Sequence, residues 1–219
     1  MGCGICCQDK ENSEANAREK SIQKKPDFVA SQVKKPKKPW NKAVKESEVI
    51  GKTHGDTYTA YDDLETLKGH FGDTELPQVR AIEVHTDGRL CFGYQLFYQN
   101  DVELDLHLAQ KNYNVNVERF ELEQGEYLVK VGGRFGDICD ALIFTTSEGR
   151  NFTAGGYGGE ELTCETNVME SSEDDDEMKP AEKPYILALG AGLGGHIHHV
   201  KCAFLDLAKR PDLEAQLKN

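Results

Sequence analysis

The chain has no long hydrophobic run, and the cysteines of its body form no motif. Among its 219 residues no apolar segment approaches the roughly 18 residues that a transmembrane helix needs. The N-terminus also lacks the apolar core of a secretory signal. Four of the seven cysteines are scattered without C-x-x-C spacing, namely Cys91, Cys139, Cys164 and Cys202. These absences argue against a disulfide framework and a structural zinc site, and they predict a cytosolic protein.

Signatures of an enzyme and of a nucleic-acid-binding protein are missing as well. The sequence has no nucleophile–base pair, P-loop or paired-carboxylate signature, so it predicts a non-enzyme without a cofactor. The net charge of -12 is unevenly distributed, because residues 1–52 carry +5 and the remainder carries -17. An acidic body cannot neutralise phosphates, which argues against nucleic acid as a partner.

The first seven residues, Met-Gly-Cys-Gly-Ile-Cys-Cys, are typical of an acylation signal. Removal of Met1 exposes the amine of Gly2 to myristoylation, although the usual pattern has Ser or Thr where Cys6 stands. One myristoyl chain gives only marginal membrane binding, about 10⁴ M⁻¹, so stable attachment needs a second signal, such as palmitoylation. The predicted lipidation sites are Gly2, Cys3, Cys6 and Cys7. The alternative is a disordered terminus that contains cysteines by chance.

A basic segment further along the chain is a candidate membrane contact, formed by Lys34, Lys35, Lys37, Lys38 and Trp40. Each lysine near an anionic leaflet contributes roughly 1 kcal/mol, and an indole ring favours the headgroup region. Two other interpretations stay open, namely an extended linker and a nuclear-localisation signal. Residues 1–52 as a whole are hydrophilic and aperiodic, which predicts a largely disordered arm.

After a connecting segment, residues 53–68, the chain changes to short apolar runs separated by Gly and Asp. The connecting segment contains a predicted short helix at 61–67. The apolar runs predict strands at residues 81–84, 94–98, 127–131, 142–146 and 185–189. The body is therefore predicted to be all-β.

Three copies of one pattern recur in this body. A glycine is followed four residues later by Phe92, Asp140 or His198, and apolar residues follow at matching positions. The glycines are Gly88, Gly136 and Gly194, separated by 48 and 58 residues, and an acidic insert accounts for the longer interval. Three repeats of a strand–turn–strand unit predict small antiparallel sheets arranged with pseudo-threefold symmetry around one core. Chance similarity among glycine-rich β sequences is the alternative.

An ordered series of segments resembles a jacalin-related lectin domain of the mannose-binding type. The segments are AIEV at 81–84, QLFY at 95–98, LEQGEYL at 122–128, ALIFTT at 141–146 and GRNF at 149–152, with a C-terminal glycine-rich turn and strand. The resemblance implies a β-prism I fold of three four-stranded antiparallel sheets over residues 69–208. An acidic loop at 165–183 and a C-terminal tail at 209–219 complete this expected organisation.

The resemblance also implies where a ligand would bind. In that family a G-x-x-x-D turn binds sugar at one apex of the prism, since glycine permits a close approach and aspartate accepts two hydroxyl protons. The C-terminal repeat, which carries the family's principal site, has histidine at the aspartate position; this degenerate site comprises Gly194, Gly195, His196 and His198. The middle repeat keeps the pattern, so the carbohydrate-binding candidates are Gly136, Asp137, Ile138 and Asp140. A tight turn in which Asp140 caps local amides is the alternative.

Two further features carry weaker signals. His196 and His198 lie on one side of a predicted strand, as zinc ligands can. No third ligand is identifiable, so surface histidines or a remodelled pocket are favoured and no metal is predicted. In the acidic loop, Ser171 and Ser172 precede acidic residues and are candidate sites for an acid-directed kinase. A solvated loop without modification is the alternative.

These observations favour one function and leave a second open. The first is a binding or scaffolding module, held by acyl chains on the cytoplasmic face of a membrane, with lipids and a protein as its partners. Its basis is the predicted cytosolic setting and the histidine in the principal site. The alternative is a lectin that binds mannose-class glycans through the middle repeat. Homo-oligomerisation, which many related lectins show, stays open.

Overall fold

The computed structural model describes residues 38–53, 59–109, 115–171 and 176–217. Several predicted functional residues lie outside these ranges, namely Gly2, Cys3, Cys6, Cys7, Lys34, Lys35, Lys37 and Ser172. Within the described ranges, the helices are all too short or too polar to span a membrane.

The described ranges contain fifteen β-strands and two α-helices. The strands are β1 Lys45–Glu46, β2 Ile50–Gly51, β3 Thr59–Asp62, β4 Val79–Thr86, β5 Cys91–Tyr98, β6 His107–Leu108, β7 Asn116–Glu121, β8 Leu128–Phe135, β9 Cys139–Thr146, β10 Asn151–Gly155, β11 Glu160–Thr163, β12 Asn167–Ser171, β13 Asp176–Pro180, β14 Pro184–Leu193 and β15 Ile197–Asp206. The helices are α1 Asp63–Phe71 and α2 Pro211–Leu217.

Three antiparallel sheets share one strand order around a central hairpin. The first has the order β6-β5-β4-β7 and the second has the order β10-β9-β8-β11. In the third, β3 pairs with β14, while β1 and β2 both pair with β15 and together form a single edge. The predicted all-β prism of three antiparallel sheets is therefore confirmed, and the fourth strand of the third sheet is divided into two short pieces.

The three central hairpins are irregular at matching places, which confirms the internal repeat. In the first strand of each hairpin the register skips one residue, between Val79 and Ala81, between Leu128 and Lys130, and between Ile186 and Ala188. A second irregularity precedes each turn. Such bulges increase the local twist of a strand pair, which lets three short sheets curve around one core.

The matched apolar residues of the three hairpins fill this core. Two sets of equivalent positions on the second strands are all buried, namely Tyr94, Leu142 and Val200, and Leu96, Phe144 and Cys202. Burying a large apolar side chain contributes about 1.5–3 kcal/mol, so these matched positions of all three repeats stabilise the common core.

The predicted arm ends earlier than expected, because residues 38–53 form an N-terminal strap that belongs to the fold. Its strands β1 and β2 cover the edge of β15. Between them the amide of Ser47 donates to the carbonyl of Cys202 at 2.9 Å, and the amide of Cys202 donates to Oγ of Ser47 at 3.0 Å. Trp40 is completely buried, and its amide donates to the carbonyl of Asp73 at 3.1 Å. The composition of the strap is hydrophilic, yet it covers an otherwise unpaired sheet edge and places the Trp40 ring in the core. A membrane contact of the Trp40 ring, one of the sequence-based predictions, is therefore wrong.

The connecting segment and the C-terminal tail also contain ordered elements. Helix α1 begins at Asp63, where the side chain of Asp62 caps the amide of Leu64 at 3.0 Å, and it extends four residues beyond the predicted helix. Tyr61 lies in β3 and not in the helix. In the predicted tail, α2 places Leu213 in the core, because its apolar residues recur at helical spacing.

The acidic segment is a two-stranded hairpin and not the predicted loop. Strands β12 and β13 pair from Asn167 with Pro180 to Ser171 with Asp176. Val168 and Ala181, near the base of the hairpin, are buried. These two buried residues anchor the base of the hairpin, where the strand pairing begins. The acidic composition of the segment did not indicate this pairing.

Candidate functional site

Three turns meet at one end of the prism, and each contacts the next repeat in a cyclic order. The first turn (residues 87–90) places the carbonyl of Arg89 against Gly156, where an added Cβ would approach its oxygen to 2.5 Å. The middle turn (residues 136–138) accepts a hydrogen bond at Asp137 O from His198 Nδ1, at 3.2 Å. In the third turn (residues 194–196), the ring of His196 lies 4.8 Å from that of Phe92. Each repeat is therefore in contact with the turn of one neighbouring repeat.

The middle repeat has an open cleft, which we call the Asp140 cleft. Its volume is about 520 Å³, and its walls are the first turn and a glycine loop (residues 155–159). The lining residues are Asp87, Gly88, Arg89, Leu90, Asp140, Gly156, Tyr157 and Gly158. A Cβ added to Gly158 would overlap the Oδ1 atom of Asp140. The glycine therefore keeps the carboxylate open to the cleft.

The Asp140 carboxylate is available to accept hydrogen bonds from a ligand. Among the residues that the structure describes, no side chain or backbone amide donates a hydrogen bond to it. The Asp140 main chain is occupied, since its carbonyl accepts from the amide of Gly156 at 2.8 Å. The predicted alternative, a turn that Asp140 caps through its side chain, is not what the described residues show.

Asp87, the second carboxylate of the cleft, has a structural role instead. Its Oδ1 accepts from the amides of Arg89 and Leu90 at 2.8 and 2.9 Å. Slight burial opposes ionisation, but these hydrogen bonds outweigh it and hold the pKa of Asp87 below its usual value. Asp87 thus caps the first turn, whereas the Asp140 carboxylate accepts no hydrogen bond from the described residues.

The other predicted residues of the middle repeat lie around the cleft and not inside it. The amide of Gly136 donates to the carbonyl of Ile138 at 3.0 Å, which closes the middle turn. Asp137 is not among the residues that line the Asp140 cleft, and it forms an ion pair with Lys52, with 85% of its side chain exposed. It lines a separate cleft of about 500 Å³ together with Gly51 and Phe135.

The third repeat has the same turn without the carboxylate. The amide of Gly194 donates to the carbonyl of His196 at 3.1 Å, which matches the middle turn. His198 occupies the position of Asp140, but its ring nitrogen contacts the backbone of Asp137. Within the described part of the chain, no group of three or more His, Cys, Asp or Glu side chains is arranged to hold a metal ion. In the first repeat the corresponding residue, Phe92, is buried.

Three features of the cleft were not predicted from the sequence: the glycine loop, the exposed Tyr157 and the first turn. The run Gly-Gly-Tyr-Gly-Gly at 155–159 was a usable signal, because an aromatic residue between two glycine pairs is unusual. The first turn gave no such signal. The first turn lines the cleft because the first repeat packs against the middle one. The spacing of residues within one repeat gives no information about that packing.

A family model for the jacalin-like lectin domain matches residues 47–173, more than half of the chain. The chain belongs to the jacalin-like lectin family. The match begins inside the N-terminal strap, which agrees with the pairing of that segment with β15. A search of curated proteins found no match. This membership confirms the resemblance to jacalin-related lectins that the sequence segments indicate.

Solved structures of plant lectins share this jacalin-like fold at low identity. The mannose-binding lectin from Champedak is 17% identical, with a TM-score of 0.51, and the alignment covers 74% of this chain and 96% of that lectin. Frutapin from Artocarpus incisa is 15% identical, with a TM-score of 0.53 and coverages of 74% and 97%. A mannose-specific jacalin-related lectin from Morus nigra, solved in complex with mannose, is 15% identical, with a TM-score of 0.52 and coverages of 74% and 94%.

Proposed function

We propose that the protein is a carbohydrate-binding lectin whose site is the Asp140 cleft. The observation that carries the proposal is the Asp140 carboxylate, which faces the cleft beside Gly158 without a hydrogen-bond donor in the described residues. A carboxylate only accepts hydrogen bonds, and adjacent sugar hydroxyls offer the two donors that it needs. Hydrogen bonds to an ionised acceptor are about twice as strong as neutral ones, so one such residue can orient a sugar ring.

The family and its solved members support a neutral hexose as the first ligand to test. The Morus nigra lectin is described as mannose-specific. Mannose-class glycans are also the ligand that the sequence predicts for a lectin acting through the middle repeat. The predicted cytosolic setting and the histidine at position 198 favour a scaffold that binds protein. The middle repeat retains the carboxylate that His198 replaces in the third, which favours the lectin.

A glycan array with the full chain tests this proposal. The wild-type protein is expected to show saturable binding to mannose-class glycans. Substitution Asp140→Asn is expected to weaken that binding by about 10- to 100-fold, because a hydrogen bond to a charged group contributes about 1.5–3 kcal/mol.

Asp137→Asn is the matched control, since it removes the same charge from the adjacent turn but outside the cleft. It is expected to leave glycan binding unchanged. An array without any bound glycan, or equal losses in the two variants, would contradict the proposal. A blank array combined with a saturable protein ligand would favour the scaffold.

We also propose that the protein is attached to the cytoplasmic face of a membrane by acyl chains on Gly2 and the neighbouring cysteines. The proposal rests on the first seven residues of the sequence. Two acyl chains are the reason to expect stable attachment, because one chain binds only with about 10⁴ M⁻¹.

Expression of tagged variants with an alkyne analogue of myristate tests the attachment. Gly2→Ala is expected to abolish incorporation of the analogue and to move the protein to the soluble fraction. Cys3→Ser is expected to retain the analogue but to weaken membrane binding. A full membrane fraction of Gly2→Ala would refute the proposal.

A further inference from the structure

The glycine loop is rigidly packed although four of its five residues are glycine. A Cβ on Gly156 would approach the Arg89 carbonyl oxygen to 2.5 Å, and one on Gly158 would overlap the Asp140 carboxylate. Gly159 has a φ of +61° and packs against the backbone of Phe135. A side chain at any of these three glycines would therefore clash with the neighbouring backbone or with Asp140. The only residue of the loop that has a side chain is Tyr157.

Tyr157 presents its ring to solvent at the rim of the Asp140 cleft. Its exposure is 94%, the highest among the large hydrophobic residues of the described ranges that are exposed. No ring contact, hydrogen bond or ion pair within those ranges involves its side chain. A tyrosine buries about 150–250 Å² when it finds a partner, so an unpartnered ring on a fixed loop indicates a ligand contact.

Tyr157 and the Asp140 carboxylate line the same cleft, and Tyr157 directly precedes the glycine that lies against the carboxylate. Consecutive Cα atoms are about 3.8 Å apart, and the next residue, Gly158, lies directly against Asp140. The first turn also lines the cleft, whose volume is about 520 Å³. Ligand pockets range from about 300 to 1,000 Å³, so the cleft has room for more than the group that Asp140 binds.

We propose that Tyr157 forms a second subsite of the Asp140 cleft, where it stacks on the sugar unit next to the one that Asp140 binds. The inference rests on the proposed lectin function and adds that the ligand class is an oligosaccharide. The C–H face of a pyranose is apolar and gains from covering an aromatic ring. Tyrosine provides this contact with little loss of conformational entropy, since it has only two side-chain torsions.

Calorimetry with methyl α-mannoside and an α-linked mannotriose tests the second subsite. The wild-type protein is expected to bind the trisaccharide at least about 10-fold more tightly than the monosaccharide. Tyr157→Ala is expected to lower trisaccharide affinity by about 5- to 10-fold and to leave monosaccharide affinity within about twofold. Tyr157→Phe keeps the ring and is expected to retain trisaccharide binding.

The outcomes separate the second subsite from the site itself. Binding of both sugars that Tyr157→Ala leaves unaltered, or weakens equally, would overturn the subsite and leave the lectin proposal standing. Failure of the wild-type protein to bind either sugar would overturn both. The unfolding temperature of Tyr157→Ala should match the wild type, because the exposed ring makes no contact in the described fold.

Discussion

Replacement of Trp40 by alanine is expected to destabilise the protein by about 3–5 kcal/mol, the usual loss for a large aromatic residue in a core. Trp40 is fully buried, and it anchors the N-terminal strap in the hydrophobic core. The guanidinium of Arg210 donates to the carbonyls of Lys38 and Pro39 at 2.8 and 3.3 Å on the same segment. Loss of the indole therefore also weakens the pairing of the strap with β15.

Urea unfolding of the full chain, followed by circular dichroism, measures this effect. Lys42→Ala is the matched control, because Lys42 is exposed on the same strap and its removal should change stability by less than about 0.5 kcal/mol. Trp40→Phe should lose much less than Trp40→Ala. It retains most of the volume, and Nε1 has no hydrogen-bond partner in the described residues. Equal midpoints for Trp40→Ala and the wild type would mean that the strap is not part of the cooperative unit.

Trp40 is the only tryptophan, so the tryptophan fluorescence of the unmodified protein reports on the environment of the strap. Its emission is expected to be blue-shifted in the folded state, as for a buried indole. Addition of anionic vesicles should leave this emission unchanged, because the ring is not available to lipid. A vesicle-dependent shift would contradict the burial of Trp40.

Replacement of Glu126 by glutamine is expected to destabilise the protein by about 2 kcal/mol at pH 7, after allowance for solvent screening of its partner. Arg150 donates from Nε to Glu126 Oε1 at 2.8 Å and from Nη2 to Oε2. The amide of Glu123 donates to the same carboxylate at 2.7 Å. These hydrogen bonds, led by that of Arg150, outweigh burial and lower the pKa of Glu126 from 4.5 to about 2.

The sign of this shift predicts how the effect depends on pH. Because the folded-state pKa is lower than the unfolded one, the ionised carboxylate stabilises the fold above about pH 4.5. That contribution is lost as the pH falls toward 2. The difference between wild type and Glu126→Gln should therefore shrink to about half near pH 3.5. Unfolding curves at pH 7, 5 and 3.5 measure it.

Glu121→Gln is the control for this series. Glu121 pairs with Arg119 at 3.1 Å, but 72% of its side chain is exposed, so the change should be below about 0.5 kcal/mol at every pH. A pH-independent loss in Glu126→Gln would mean that packing, and not ionisation, determines its effect.

The internal repeat is the part of the fold that the residue pattern predicted best. The spacing from Gly88, Gly136 and Gly194 predicted three hairpins, and the apolar residues at matching positions predicted their buried faces. Such inferences succeed because alternation and turn glycines are local properties of a strand pair. The same local reasoning did not find the strap, because the strap's composition is hydrophilic and its partner, β15, lies about 150 residues away in the chain.

The candidate site likewise has some features that the sequence predicts and others that depend on packing. The residues alone indicate that the middle repeat keeps a carboxylate, Asp140, where the third has His198, and that the chain forms a prism of repeated hairpins. The packed fold was needed to show that Asp137 lines another cleft, that the first turn lines the Asp140 cleft, and that Tyr157 stands at its rim. All three of these relations depend on contact between repeats. A side chain's neighbours across such a contact are fixed by packing, and not by its spacing along the chain.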